Sequence, residues 1–127
     1  TGTQYFSASW LKRKLDTGPS LPADRVQATL MALTCQSIVD AIRRHATDTA
    51  RVLVCGGGVH NATLMQHLAG MLDLPVVSTQ GFGIDPDWME AMAFAWLAQR
   101  TVSGQPGNLP AVTGASGPRI LGAIHPA

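Results

Sequence analysis

Charge is scarce in this sequence. Asp, Glu, Lys and Arg make up 13% of its 127 residues, against about a quarter in an ordinary soluble domain. Apolar residues make up 46%. The combination predicts that part of the surface is covered by a partner subunit or by another part of the same protein. A net charge of +1 removes any broad electrostatic argument for nucleic acid or an anionic membrane as partner. Lys12-Arg13-Lys14 is the one basic cluster and reads as the solvated face of a short helix. Cysteine is limited to Cys35 and Cys55, each in an apolar segment, which favours buried, reduced thiols over a disulfide. Long hydrophobic runs are missing too. Outside a glycine-rich turn the longest is Ala91 to Ala98, far short of a bilayer span. The opening Thr-Gly-Thr-Gln has neither the basic start nor the apolar stretch of a secretory leader, so a cytoplasmic location is expected. With no Met in front of it, the opening also leads us to expect a piece of a longer protein.

What is present centres on Val52-Leu-Val-Cys-Gly-Gly-Gly-Val-His-Asn61. The segment predicts a short strand from Arg51 to Cys55, a glycine turn and then the amphipathic helix Ala62 to Leu72. Glycines at such a junction let the chain turn tightly and let a ligand approach the main chain. The following helix offers unpaired N–H groups and a positive dipole end, which suit a phosphate or a nucleotide. A plain strand-to-helix turn is the competing reading. Gly56, Gly58 and Asn61 give G-x-G-x-x-N, which fails the dinucleotide fingerprint at its last position. Ser78 and Thr79 stand where a ribose-binding carboxylate would end the next strand. No Gly-Lys-Ser/Thr follows, so the segment is not a P-loop.

Around this turn the pattern is α/β. Ser7 to Leu15 reads as a helix capped by Ser7 or Ser9, and Ala23 to His45 as a long helix with Val26, Leu30, Leu33, Ile38 and Ile42 on its apolar side. Asp40 and Arg44 are spaced for an i,i+4 ion pair, and Arg43, Arg44 and His45 suit the helix's C-terminal dipole. Pro75 to Ser78 predicts a second strand and Thr79 to Ile84 a loop. Asp85-Pro86 reads as cap and first residue of a helix running to about Thr101. Ser103 to Pro118, rich in Gly and Pro, is a long loop, functional or packed onto something else. Arg119 to Ile124 predicts a final strand. An ααβαβα-loop-β order implies a layered α/β domain.

Glu90 is the sole glutamate, and apart from it residues 88 to 98 are apolar. A helix apolar all round is expected to be buried, so its carboxylate needs a partner or a ligand. Function and a structural role at the helix start weigh evenly there. None of the histidines has metal-site spacing; His60, in the glycine turn, could touch a ligand. The methionines fit helix faces and read as core. No metal site and no Ser/His/Asp or Cys/His set is predicted.

Taken together, these segments closely resemble the C-terminal part of the anhydro-N-acetylmuramic acid kinases. The runs that carry the resemblance are Thr1-Gly-Thr-Gln-Tyr-Phe6, Val26-Gln-Ala-Thr-Leu30, Val54-Cys-Gly-Gly-Gly-Val-His-Asn61, Glu90-Ala-Met-Ala-Phe-Ala-Trp-Leu97, Pro106-Gly-Asn-Leu-Pro110, Val112-Thr-Gly-Ala115 and Leu121-Gly-Ala-Ile-His-Pro126. They cover essentially the whole chain in order. The glycine run alone is shared with other actin-like sugar kinases; the combination is specific. The resemblance implies an actin-like, ribonuclease H-like fold, with residues 1–127 as the C-terminal, nucleotide-side domain. It implies ATP and Mg2+ as cofactors and an amino sugar as substrate. The implied reaction is hydrolytic opening of a 1,6-anhydro ring with phosphorylation of O6, in cell-wall recycling. Gly56, Gly57 and Gly58 would form the nucleotide motif with Asn61 close by, and Glu90 would help hold the sugar. A general base is expected in an N-terminal domain outside this chain, so the isolated 127 residues are expected to be inactive. A homodimer is expected, with no nucleic acid and no membrane as partner. The alternative is a non-catalytic nucleotide-binding or dimerisation module of the same fold; a dinucleotide or redox protein is disfavoured by Asn61.

Overall fold

Two valine-rich triplets, Val52–Val54 (β1) and Val76–Ser78 (β2), pair in parallel in the computed structural model, which describes residues 5–125. Val52 faces Val76, Leu53 faces Val77 and Val54 faces Ser78. Parallel neighbours cannot be joined by a tight turn and need a crossover. Here the crossover is α3, Ala62–Leu72, preceded by a 3-10 turn at Gly57–His60. α1 (Ala8–Thr17) and α2 (Ala23–His45) precede the sheet. A 3-10 turn at Thr79–Phe82, α4 (Met89–Val102) and the single-turn α5 (Pro110–Thr113) follow it. The chain is therefore α-rich with a small parallel sheet, within the expected α/β class.

α1, α2 and α3 form where their local chemistry predicts, α1 running on to Thr17, whereas the single turn α5 lies inside the segment expected to be loop. Ser7 caps α1, its side-chain oxygen accepting from the Trp10 amide at 3.2 Å, which satisfies one orphan donor. α2 keeps its predicted bounds, with Arg43, Arg44 and His45 in its last turn. The core lies where α2 and α3 cross over the sheet. Cys35 and Val39 of α2 are fully buried against Leu68 and Leu72 of α3, and Ile38, Ile42, Val52, Leu64 and Val76 pack around them. Arg43 extends this contact by donating to the Met71 carbonyl at 2.6 Å.

Several expectations are corrected. Residues 119–124 form no strand among the described residues. They run as irregular chain held by Gly107 N–H on the Arg119 carbonyl at 3.0 Å and by the Thr101 hydroxyl on the Leu121 carbonyl; no sheet edge lies beside them to complete a ladder. α4 begins at Met89 rather than Asp85. Asp85 instead closes a turn, its carboxylate accepting from Asp87 N–H at 2.9 Å and its carbonyl from Trp88 N–H at 3.2 Å. The two strands are shorter than predicted, and part of the 79–84 loop is helical. Asp40 accepts from Gln36 Nε2 at 2.8 Å and forms no ion pair with Arg44, because Gln36 sits one turn back on the same face. Cys35 is buried as expected, but Cys55 is exposed; both are free. α4 is not buried either: Met92, Phe94 and Trp96, with Trp88 at its N-cap, are 51–64% exposed, and the Arg100 guanidinium 5.4 Å from the Trp96 ring centroid leaves that ring half exposed. Thr1 to Gln4 and Pro126, which carry part of the family resemblance, lie outside the described residues.

The long loop has a structural explanation. Asn108 uses both ends of its amide, donating to the Gly117 carbonyl at 3.2 Å and accepting from Arg119 N–H at 2.6 Å. Gly107 lies so close to Leu97 that an added Cβ would meet its Cδ2 at 3.0 Å. The segment Pro106-Gly-Asn thus braces α4 against the chain that follows.

Leu68 is 3% exposed at the centre of the α2–α3 contact. Leu68→Ala is expected to lower stability by about 2–5 kcal/mol through lost transfer energy and a residual cavity, measured by denaturant unfolding.

Candidate functional site

Parallel pairing sends the C-terminal ends of β1 and β2 to the same edge of the sheet. The glycine turn after Val54 and the Thr79–Phe82 turn after Ser78 therefore leave it side by side. In open parallel sheets, ligands bind in the crevice outside the carboxyl ends of the strands.

The three glycines differ in what they require. Gly56 has φ +74° and ψ −177°, a region open essentially to glycine alone. Its N–H donates to the Pro86 carbonyl at 2.8 Å, fastening the turn to the segment that leads into α4. Gly58 would bring an added Cβ to an ordinary 3.5 Å from Leu64 Cδ2. Gly57 has no positive φ, and a Cβ there would meet nothing within 4 Å. Neither backbone conformation nor packing among the described residues explains glycine at 57. The amides of Gly57 and Gly58 donate to no acceptor among the described residues.

Asn61 has a structural role. It is the N-cap of α3, its Oδ1 accepting from Leu64 N–H at 3.0 Å. Glu90 is exposed in the first turn of α4, so the buried carboxylate expected from the sequence is not observed: the helix around it is open on the described side. The glycine turn and the Glu90 segment are nevertheless brought together, by the Gly56–Pro86 bond and by His60. His60 Nε2 lies 3.0 Å from both carboxylate oxygens of Asp87, one helical turn before Glu90.

Two features were not singled out as site residues in the sequence. Asp87 had a visible signal, an acidic residue one turn ahead of Glu90, but its partner is 27 residues away. Thr79 is 3% exposed, at the C-terminal end of β2, and its hydroxyl has no hydrogen-bond partner among the described residues; an unmade bond of this kind costs about 1–3 kcal/mol. An apolar groove of about 580 Å3, lined by Phe94, Leu97, Thr101, Leu121 and Ile124 among others, contains none of the predicted site residues.

Residues 1–127 match the family model described as anhydro-N-acetylmuramic acid kinase. The chain belongs to this family. Proteins named anhydro-N-acetylmuramic acid kinase are 52% identical over all of this chain in Xylella fastidiosa (strain Temecula1 / ATCC 700964), 52% over all of it in Xanthomonas campestris pv. campestris (strain 8004), and 50% over 99% of it in Pseudomonas fluorescens (strain Pf0-1). The chain spans 33%, 34% and 35% of these relatives, about a third of the full-length family protein. That third is assigned to the relatives' N-terminal part, against the C-terminal placement expected from the sequence. The physical reason is that a strand, a glycine turn and a helix look alike wherever they stand in a longer chain; their motif encodes a local function and no position.

Removing the Asn61 cap with Asn61→Ala is expected to cost about 1 kcal/mol. Gly56→Ala forces a Cβ into a glycine-only conformation and is expected to cost about 1–3 kcal/mol. Thermal unfolding of the two variants beside the unsubstituted protein checks both values.

Proposed function

We propose that this chain supplies the nucleotide wall of an ATP-dependent sugar kinase acting on anhydro-N-acetylmuramic acid. The observation that carries the reading is Gly57, whose missing side chain leaves open space beside two amides that have no acceptor among the described residues. Such a surface fits a group lying flat against main chain, as a nucleotide does on glycine turns. Gly56 sets the turn, Gly57 and Gly58 form the wall, and Asn61 holds the helix start behind it. Exposed Glu90 would hydrogen-bond the sugar. The buried, unpartnered hydroxyl of Thr79, at the same sheet edge, adds a polar group able to serve the nucleotide.

The reaction proposed for the full-length protein couples two steps. Water adds to C1 of the sugar as the C1–O6 bond breaks, and O6 takes the γ-phosphoryl group as ADP leaves. The proton from water goes to a general base, which we assign to the remaining two thirds of the protein. Magnesium, bound with the triphosphate, would neutralise its charge; this chain's residues would position the nucleotide rather than perform the transfer, and the 127 residues alone would be inactive. The same reading places the sheet in an actin-like, ribonuclease H-like fold in a cytoplasmic enzyme. Low surface charge and the open face of α4 support a homodimer or close packing of the rest of the protein there.

Calorimetric titration of the full-length protein with Mg-ATP and with ADP tests the reading. Gly57→Val is expected to weaken nucleotide binding by tenfold or more, about 1.4 kcal/mol, while the melting temperature stays within about 2 °C because the site is open. Unchanged nucleotide affinity in the variant would overturn the assignment.

A further inference from the structure

We propose that His60 and Asp87 form a positioning clasp that holds the glycine wall in register with the helix carrying Glu90. The inference rests on the nucleotide reading of the glycine turn and assigns to these two side chains a task that the family resemblance does not.

His60 closes the 3-10 turn Gly57–His60; Asp87 lies in the turn that leads into α4. The two segments belong to different units. The glycine turn is built on β1 and α3, whose residues Leu68 and Leu72 are part of the core. α4 has no buried residue of its own, so packing contributes little to its position relative to the sheet. Two hydrogen-bonded contacts join the units among the described residues. One is the main-chain bond from Gly56 to Pro86 at 2.8 Å, a single hinge about which the segments could still rotate. The other is the pair in which His60 Nε2 faces both Asp87 oxygens at 3.0 Å, and a second point of attachment removes that rotation.

Asp87 is held for this task from its own side. Its N–H donates to the Asp85 carboxylate at 2.9 Å, and Trp88 N–H donates to the Asp85 carbonyl at 3.2 Å, so the turn presents the Asp87 side chain from a fixed backbone. Asp85, Asp87 and Glu90 place three carboxylates within six residues. His60 is the one side chain among the described residues within hydrogen-bond distance of any of these carboxylates. Both side chains are more than half exposed, and exposed pairs of this kind contribute little to global stability. The effect expected of them is local: the distance between the nucleotide wall and Glu90, three residues beyond Asp87.

The test uses the full-length protein with His60→Ala, Asp87→Ala, the double variant and His60→Gln, whose amide can still donate to Asp87. Amide hydrogen exchange over residues 57–61 reads the clasp itself. Exchange is expected to rise about fivefold in either alanine variant, the upper range for an exposed pair. It should rise no further in the double variant and return toward the unsubstituted rate in His60→Gln, with residues 35–39 and 68–72 unchanged. Steady-state kinetics reads its purpose: KM for ATP is expected to rise about threefold to fivefold in both alanine variants, with kcat changed less than twofold. Unchanged exchange in the alanine variants, or effects that add in the double variant, would overturn the clasp. Faster exchange with unchanged KM for ATP would overturn its positioning role. If the unsubstituted protein fails to phosphorylate the anhydro sugar, the kinase reading falls, while the exchange data still decide whether the clasp exists.

Discussion

Parallel pairing of β1 with β2 is the constraint on which the rest of this structure depends. Because the strands point the same way, the chain must return across the sheet before β2 can form. That return is α3, and its apolar side meets α2 through Leu68, Leu72, Cys35 and Val39. The start of the return has to turn sharply away from β1, which is what Gly56 does with its glycine-only backbone conformation. The same pairing carries both strand ends to one edge. Core, turn and candidate site are thus consequences of a single six-residue ladder. The site lies at that edge because the loops there are free of ladder hydrogen bonds and can offer main-chain amides to a ligand.

The apolar surface left open has a matching logic. Parallel sheets are normally covered on both faces, yet Leu53 and Val77 on the face away from α2 and α3 are 47% and 36% exposed. α4 displays Trp88, Met92, Phe94 and Trp96 in the same way. A chain with 13% charged residues and these open faces does not complete its own burial. The chain spans about a third of the length of the relatives it matches. Where the chain does brace itself, it uses polar groups: Asn108 spans Gly117 and Arg119, and Arg100 reaches the Pro106 carbonyl at 2.9 Å.

Legibility of the sequence followed the range of each interaction. α2 was readable because its period and its dipole-matched end are local signals. Ser7 at the start of α1 and Asn61 at the start of α3 act over three residues. Expectations failed where a partner outside the window decided the outcome. Arg119 to Ile124 has the composition of a strand but no edge to join. Asp85-Pro86 failed for a local reason instead: it has the chemistry of a helix start, yet the Asp85 carboxylate accepts from Asp87 N–H two residues on and α4 starts only at Met89. Glu90 was expected to be buried because its neighbours are apolar, but burial depends on what packs against them. The placement of the chain within its family failed for a related reason, since motifs report on local chemistry.

By itself the sequence determined α2, α3, the two short strands and the glycine turn between them, from spacing, capping chemistry and the conformational range of glycine, and its motif runs carried the resemblance to the kinase family. Tertiary structure alone decided that Gly57 faces open space, that Thr79 is buried without a partner, that Asn61 is occupied in capping, and that His60 meets Asp87 across 27 residues. The physical reason is one of reach. Local signals act through backbone dihedrals and bonds within a turn, whereas accessibility and long-range pairing exist only once distant segments share the same edge of a sheet.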